Sequence, residues 1–391
     1  MKRIMIVGGG YYQLPLIQKS VELGYYTIVV GISGNYPGYK YASKWINVDT
    51  FDKDAVLKVA LEEQIDGIVL CGSDACMPTV GYVCDHMKLI GPSEQATINA
   101  SNKALMKSCF TNYGVRTALF EQISNIKEAE LFAEKYNYPV VLKVVDSSGS
   151  RGISIVNNHE QLVSDFDVVF AETNKDYIII EEFVSGEEFG AQSFVRNGKL
   201  TFVMPHGDIV YHSATDVPIG HYAPYEKGVD LIDDITEQLQ KCVDALGIDN
   251  TAINADFILS NGKVYVLEIG ARAGATCLPE LVSNCYDFNY YEYLLKQCVG
   301  EEIDVDFKYK YASLVETLIS TECGIVSSIE IGNMPSVVES YEIYPKEGDL
   351  VAMFKTAMDR IGTLILKGDS VTQLQELSPY IKNNIINIKI K

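Results

Sequence analysis

Two largely apolar runs, 254–259 and 264–269, flank the turn dipeptide Asn261-Gly262 and therefore predict a tight antiparallel hairpin. Each run carries one carboxylate, because Asp256 lies five residues before Asn261 and Glu268 lies six residues after Gly262. Residues equidistant from a tight turn face each other, so the two carboxylates are predicted to be neighbours to within one residue. Facing carboxylates inside apolar strands repel each other unless a cation joins them. Magnesium carried with a nucleotide is the natural candidate.

A glycine- and serine-rich stretch, 146–152, follows the apolar run that contains Lys143. Small residues let the backbone approach a phosphate, amide groups donate to it, and an ammonium group neutralises its charge. The stretch lacks the Gly-Lys-Ser/Thr ending of a Walker A loop. Taken alone, a β-hairpin with a flexible tip explains this pattern as well as a phosphate loop does.

The first 95 residues alternate strands with helices, which predicts right-handed crossovers and a parallel, doubly wound sheet. The predicted strands cover 3–7, 27–30, 67–70 and 88–90, and a helix is predicted over 13–23.

The loop Gly8-Gly9-Gly10 follows the first of these strands. Gln13 stands where a dinucleotide fingerprint needs a small residue, and no carboxylate closes the second strand, so NAD or FAD binding is not expected. Anion binding at the helix N-terminus and a tight turn without a ligand both remain open.

Beyond Pro92 the pattern predicts an α+β block. Helices are predicted over 96–112, 126–136 and 159–172, and strands over 140–145, 153–156 and 177–180. Residues 205–225 are interpreted as an irregular loop, a suitable rim for a substrate. Short strands and Gly/Pro turns predict a further small α+β region over 305–391. Lys107 and Arg151 are interpreted as surface charges.

The net charge of the chain limits the kinds of partner that it can bind. The chain carries a formal net charge of −20, which disfavours sequence-independent nucleic-acid binding, so no nucleic-acid partner is expected. No run approaches the roughly 18 apolar residues of a membrane helix, and the N-terminus lacks the pattern of a signal peptide. We therefore expect no membrane partner and a cytoplasmic location.

The nine scattered cysteines are interpreted as reduced, mostly packing residues.

Taken in order, these motifs resemble those of the ATP-grasp superfamily of carboxylate–amine and carboxylate–thiol ligases. The resemblance spans nearly the whole chain and implies an α/β ATP-grasp fold, in which four parts follow one another. They are an N-terminal Rossmann-like pre-ATP-grasp domain (1–95), a linker helix with the lid subdomain (96–185), a catalytic subdomain (186–304) and a C-terminal α+β domain (305–391).

The resemblance implies four groups of ATP-binding residues. Lys103 and Lys143 contact the phosphates, and Ser147, Ser148, Gly149 and Gly152 belong to a mobile phosphate loop. Glu181, Glu182, Phe183 and Val184 form the hinge that holds adenine, and the acidic residue Glu188 binds the ribose. Asp256 and Glu268 match the metal ligands, and Arg272 matches the arginine on the transferred phosphoryl group. Lys143 and Arg272 are therefore the expected catalytic residues. The implied cofactors are ATP and Mg²⁺, with Mn²⁺ able to replace Mg²⁺.

The chain departs from the family pattern in two places. Gly270 stands where the family commonly has Asn, and Asp256 stands where Glu is usual, so a single bridging ion is better supported than two. Short motifs, Gly220-His221 with Pro224 and the run 268–274, resemble the amino-acid ligase branch. That branch makes His221 and Arg272 the candidate substrate contacts.

The resemblance implies an ADP-forming carbon–nitrogen ligase that activates a carboxylate as an acyl phosphate and joins it to an amine, with an amino acid as one substrate. Two alternatives stay open: a carboxylase-type or purine-pathway member of the superfamily, and a non-catalytic ATP-binding sensor. The expected partners are the small-molecule carboxylate and amine, and a homodimer through the leading domain is a family expectation.

Overall fold

The computed structural model describes residues 1–147, 152–212, 217–301, 304–356 and 359–391. The chain divides into two compact units. The first comprises Met1–Val203, Leu231–Ala273 and Tyr291–Ile303, and the second comprises Met204–Asp230, Gly274–Tyr290 and Asp304–Lys391. The division into four domains at 95, 185 and 304 stays a prediction.

The first unit begins with alternating strands and helices. They are β1 (Arg3–Val7), α1 (Leu14–Glu22), β2 (Tyr26–Gly31), β3 (Lys44–Asn47), α2 (Lys53–Glu63), β4 (Gly67–Val69) and α3 (Met77–Met87). The strands form a sheet in the order β3-β2-β1-β4, and every neighbouring pair is parallel, as the alternation predicts. The prediction of a strand over 88–90 is wrong, since α3 ends at Met87 and Lys88 takes a left-handed conformation with φ 54°. The fourth strand is β3 instead, which is mostly exposed and so lacks an apolar signal.

The Gly8-Gly9-Gly10 loop is held by contacts within the chain. The Gly10 N–H donates to Gln13 Oε1 at 3.0 Å, and Gln13 Nε2 donates to the Cys71 carbonyl. A Cβ on Gly9 would lie 2.3 Å from the Tyr39 ring. These contacts support the interpretation as a tight turn and leave the Gly10 amide already paired.

A second sheet of the first unit is antiparallel. The elements of this region are α4 (Glu94–Ser101), α5 (Lys103–Tyr113), β5 (Phe120–Ile123), α6 (Ile126–Tyr136), β6 (Val140–Lys143), β7 (Ile153–Val156), α7 (His159–Phe170) and β8 (Ile178–Glu182). The strand order is β5-β8-β6-β7. The single helix predicted over 96–112 is wrong, because Asn102 is extended and its side chain accepts hydrogen bonds from the Ala104 and Leu105 amides, capping α5.

Strands β6 and β7 pair as an antiparallel hairpin with Lys143 opposite Ile153. This pairing is compatible with a plain hairpin and with a phosphate loop, so the choice between the two interpretations stays open. Ser148, Gly149 and Arg151 lie outside the described residues, so the predictions for them stay predictions.

The remaining elements of the first unit carry the facing carboxylates. They are β9 (Glu187–Arg196), β10 (Lys199–Leu200), α9 (Ile232–Leu246), β13 (Thr251–Ser260), β14 (Lys263–Gly270) and most of α11 (Tyr290–Cys298). Asp256 on β13 pairs directly with Glu268 on β14. A bulge follows at once, since Phe257 pairs with Val266 and Leu267 is the extra residue. The prediction that the two carboxylates face each other is confirmed.

The second unit contains two antiparallel sheets. Its elements are β11 (Met204–Tyr211), β12 (Val217–Ala223), α8 (Glu226–Asp230), α10 (Leu278–Tyr286), β15 (Ala312–Leu318), β16 (Gly324–Ile331), β17 (Val338–Ile343), β18 (Leu350–Val351), β19 (Gly362–Gly368), α12 (Val371–Asn384) and β20 (Ile386–Ile390). Within this unit the strand orders are β11-β12-β15-β19-β17 and β18-β16-β20.

The interpretation of 205–225 as an irregular loop is wrong, because most of it forms β11 and β12. Proline and glycine, which usually mark turns, stand inside both strands at Pro205, Gly207, Pro218 and Gly220, and they weaken the strand signal.

In the described ranges, no helix is both long and apolar enough to cross a membrane. The nine cysteines are thiols and most are buried, as the sequence predicts.

Candidate functional site

Helix α5 places two lysines, Lys103 and Lys107, one turn apart on the same face. The Lys103 ammonium lies 3.1 Å from Glu268 Oε2 and donates to the Ser147 carbonyl at 2.6 Å. Burial by itself would lower the pKa of Lys103, but the Glu268 carboxylate outweighs this effect and raises it. Lys103 is therefore a fixed positive charge beside the carboxylate hairpin.

Lys107 is buried, and its interpretation as a surface charge is wrong. Its ammonium donates to Thr117 Oγ1 at 2.6 Å and lies 3.4 Å from Glu181 Oε1. The other oxygen of Glu181 accepts from Lys143 at 2.9 Å. Burial lowers the pKa of Lys107, whereas the two lysines outweigh burial and lower the pKa of Glu181. Glu181 thus stays ionised and fixes the position of Lys143.

The hairpin carboxylates are partly exposed, so they are accessible to a cation. The Glu268 side chain is 36% exposed. Burial opposes ionisation of Glu268, but Lys103 outweighs it and lowers the pKa of this carboxyl group. At neutral pH Glu268 therefore offers a charged oxygen next to its strand partner Asp256.

Arg272, just beyond the hairpin, is held by Asp74, a residue that sequence reasoning missed. The two side chains form an ion pair at 2.7 Å, which raises the pKa of Arg272 although burial opposes it. Gly270 makes room for this pair, because a Cβ there would lie 2.5 Å from Asp74 Oδ1. Asp74 follows β4 at the carboxyl end of a parallel strand, where ligand-binding loops commonly lie, and that position was a usable signal.

One guanidinium nitrogen of Arg272 is not used by the part of the chain that the structure describes. Its Nε is buried and has no hydrogen-bond partner among the described residues. A buried donor without a partner is costly, so a bound anion is the simplest group to satisfy it.

A single cavity brings most of these groups together. Its lining residues are Asp74, Ala100, Ser101, Lys103, Met106, Ser147, Asn254, Asp256, Glu268, Ile269, Gly270 and Arg272. Five predicted site residues are among them, and Asp74, Ser101 and Asn254 add polar groups that the sequence motifs do not mark. Asn254 lies directly opposite Gly270, so it offers a carboxamide across the hairpin from the position where the family commonly has Asn.

The predicted hinge residues lie along β8 and just after it. Glu182 Oε1 accepts from the Leu119 amide at 2.9 Å, Phe183 is exposed and Val184 is half-buried. Glu188 is an exposed residue of β9, opposite Ile258. The adenine and ribose roles of these residues stay predictions.

Gly152, at the far end of the predicted phosphate loop, has a backbone that favours glycine. Its φ is +66°, and a Cβ there would lie 2.5 Å from Val144 Cγ2. Its part in phosphate binding stays a prediction, as does that of Ser147.

His221 lies in the second unit, on β12, and is buried. Its Nδ1 lies 2.7 Å from Asp208 Oδ1, a pairing that sequence reasoning missed. The prediction that His221 contacts substrate stays a prediction.

The cavity residues fit a magnesium-bound nucleotide. Two facing carboxylates suit a hard divalent cation, and Lys103 with the unpartnered Nε of Arg272 suits a phosphate. The arrangement is therefore suited to binding and stabilising a phosphoryl group.

Comparison with known proteins agrees with this chemistry. Residues 101–276 match the family model of the phosphoribosylglycinamide synthetase ATP-grasp (A) domain. A crystal structure of phosphoribosylglycinamide synthetase from Anaerococcus prevotii is 33% identical, with 100% of both chains covered and a TM-score of 0.87. The phosphoribosylamine–glycine ligase of Fusobacterium nucleatum is 25% identical over 293 residues, 70% of this chain and 68% of that protein.

An L-amino acid ligase from Bacillus licheniformis shares the fold, with a TM-score of 0.82. The two sequences are 18% identical, and the alignment covers 100% of this chain and 99% of that one.

Proposed function

Since the chain belongs to the ATP-grasp superfamily of ligases, we propose that it activates a substrate carboxylate with ATP and joins it to an amine. The products are the amide, ADP and phosphate. One observation carries the proposal: Arg272, with its buried unpartnered Nε, lines the same cavity as Lys103, Asp256 and Glu268.

In this proposal the protein works by positioning and charge neutralisation. Asp256 and Glu268 would hold Mg²⁺, which when bound neutralises phosphate charge. Lys103 and Lys143 bind the phosphates of ATP, and Glu181 keeps Lys143 in place. Arg272 binds the phosphoryl group as it passes to the substrate carboxylate. The amine then attacks the acyl carbon, and phosphate leaves.

We propose that an amino acid is one of the two substrates. A second, more specific candidate is the pair of glycine and a phosphoribosylamine. The first rests on the motifs shared with amino-acid ligases, and the second on the 33% identity to phosphoribosylglycinamide synthetase. Both candidates use the same acyl phosphate chemistry. The roles proposed for the cavity residues of the first unit are therefore the same for either candidate.

The test is phosphate and ADP release with ATP and Mg²⁺ over twenty amino acids, singly and in pairs, with glycine plus phosphoribosylamine as a further pair. Release that requires one acid and rises with one amine supports the ligase and names its substrates. Release that requires bicarbonate with an aminoimidazole ribotide favours the carboxylase type. ATP binding without any release favours the sensor and contradicts the proposal.

Replacing Arg272 with Ala should lower turnover by roughly tenfold to more than a hundredfold, because a charge-assisted contact contributes about 1.5–3 kcal/mol. Arg272→Lys keeps the charge but not the two-pronged geometry, so its turnover should fall between those of the wild type and Arg272→Ala. Steady-state kinetics with a check of thermal stability measures both. Wild-type turnover in a folded Arg272→Ala protein would remove Arg272 from the mechanism.

A further inference from the structure

The hairpin β11–β12 of the second unit brings together two of the five histidines of the chain with an aspartate. His206 and Asp208 are two positions apart on β11, so they share a face of the strand. His221 on β12 is the direct partner of Asp208. The residues with opposite orientation, Ile209 and Tyr222, pack against the apolar core of this unit. The three polar side chains therefore form one cluster by the geometry of the sheet.

The ligand atoms of the cluster converge. Nδ1 of His206 lies 3.2 Å from Asp208 Oδ1, and Nδ1 of His221 lies 2.7 Å from the same oxygen. One nitrogen or oxygen from each of the three side chains lies within 4.8 Å of the others. Metal–ligand bonds of about 2.0–2.2 Å place the ligand atoms of a tetrahedral site about 3.3–3.6 Å apart. The two separations from Asp208 Oδ1 are shorter than this, so small side-chain movements would admit an ion between the three groups.

The cluster is also buried, with His206 1% and His221 5% exposed. Imidazole nitrogen and carboxylate oxygen are both common ligands of transition-metal ions, and burial keeps these side chains in fixed positions.

We propose that His206, Asp208 and His221 form a binding site for a divalent transition-metal ion, of which Zn²⁺ is the representative. Imidazole nitrogen suits Zn²⁺ and its neighbours in the transition series, whereas Mg²⁺ prefers oxygen ligands. The site therefore differs in cation class from the carboxylate pair on β13–β14. Three protein ligands leave at least one coordination position for a water or substrate oxygen.

The site is tested on the whole chain after dialysis against a chelator. Zn²⁺ and Co²⁺ are titrated separately, by calorimetry and by the visible spectrum of Co²⁺. We expect one equivalent of metal ion to bind to the wild-type protein. The variants His206→Gln, His221→Gln and Asp208→Asn each lose a ligand. Their metal affinity should fall by more than the roughly 10–100-fold that follows when a residue that only supports a ligand is lost.

Two controls separate this site from others. His159→Gln removes an exposed histidine of α7, paired with Glu130, and should leave the affinity unchanged. The double variant Asp256→Asn/Glu268→Gln removes the carboxylate pair of the proposed magnesium site and should also retain the Zn²⁺ equivalent. Loss of Zn²⁺ binding in this double variant would contradict the assignment.

Histidine ¹⁵N NMR of the wild-type protein keeps the test decisive if a variant does not fold. Zn²⁺ should shift the Nδ1 signals of two imidazoles and leave the other three unchanged. Absence of that shift, or variants that bind Zn²⁺ as tightly as the wild type does, would contradict the metal site. The role of Asp208 would then be only to accept hydrogen bonds from the two histidines. Failure of this proposal leaves the proposed ligase activity untouched, since that activity is measured separately with Mg²⁺.

Discussion

Glu181 sits between two lysines in the interior of the first unit, and its charge determines whether both can stay there. Lys107 contacts one carboxylate oxygen and Lys143 the other. Breaking a buried ion pair by removing one partner typically costs about 3–5 kcal/mol, because the other charge stays buried without compensation. Glu181 is therefore a structural requirement for Lys143 as well as a member of the predicted hinge.

The lowered pKa of Glu181 predicts a specific pH dependence. A carboxyl group with a lowered pKa in the folded state stabilises the protein fully above its ordinary pKa of 4.5, and this contribution is lost as the pH falls toward the folded-state pKa. Glu181→Gln should therefore be less stable at neutral pH and lose less stability than the wild type as the pH falls below 4.5. Denaturant unfolding across this range measures the slope.

Glu121→Gln is the matched control for this slope. Glu121 lies on the neighbouring strand β5, and its side chain is 48% exposed. We expect the wild-type slope in this variant. Equal slopes in the wild type and Glu181→Gln would contradict the linkage.

The hairpin β13–β14 determines where the charged residues of the candidate site lie. Its turn fixes the register that pairs Asp256 with Glu268, and the bulge at Leu267 follows that pair. Gly270 ends β14 and leaves the space that Asp74 occupies beside Arg272.

Gly270→Ala should displace Asp74 or the strand, because the added Cβ would lie 2.5 Å from Asp74 Oδ1. Overpacking of this kind costs about 1–3 kcal/mol, which corresponds to a loss of roughly fivefold to more than a hundredfold if it falls on turnover. Steady-state kinetics measures this loss. Gly332→Ala is the control, since a Cβ at Gly332 meets its nearest neighbour at 3.4 Å. A Gly270→Ala protein as active as the control would show that the Asp74–Arg272 pair does not need this space.

At the scale of the whole molecule, the net charge of −20 works against the compact state. Raising NaCl from 10 to 150 mM shortens the Debye length from about 30 to about 8 Å and screens this repulsion. The melting temperature should therefore rise, by about 1 °C for each kcal/mol relieved, since the melting entropy of a 391-residue chain is large. Scanning calorimetry with a chelator present separates screening from divalent-cation binding, and a constant or falling melting temperature would contradict the prediction.

Much of the fold followed from local patterns, and its assignment to the ATP-grasp class is confirmed by the comparisons. The parallel leading sheet, helix 126–136 and the facing pair Asp256–Glu268 could be predicted because periodicity and turn chemistry act over a few residues. The break at Asn102 and strands β11 and β12 were missed, since a cap and a polar strand face carry weak local signals.

What the sequence by itself determined is the set of charged residues near one another along the chain and the elements that carry them. The tertiary structure alone decided which distant residues meet. Asp74 pairs with Arg272, which lies 198 positions away in the sequence. Lys107 can be buried because the carboxylate of Glu181, on another element, compensates its positive charge. His206, Asp208 and His221 converge only once β11 pairs with β12 in one register. Such contacts depend on which faces two segments share, and local propensity does not encode that.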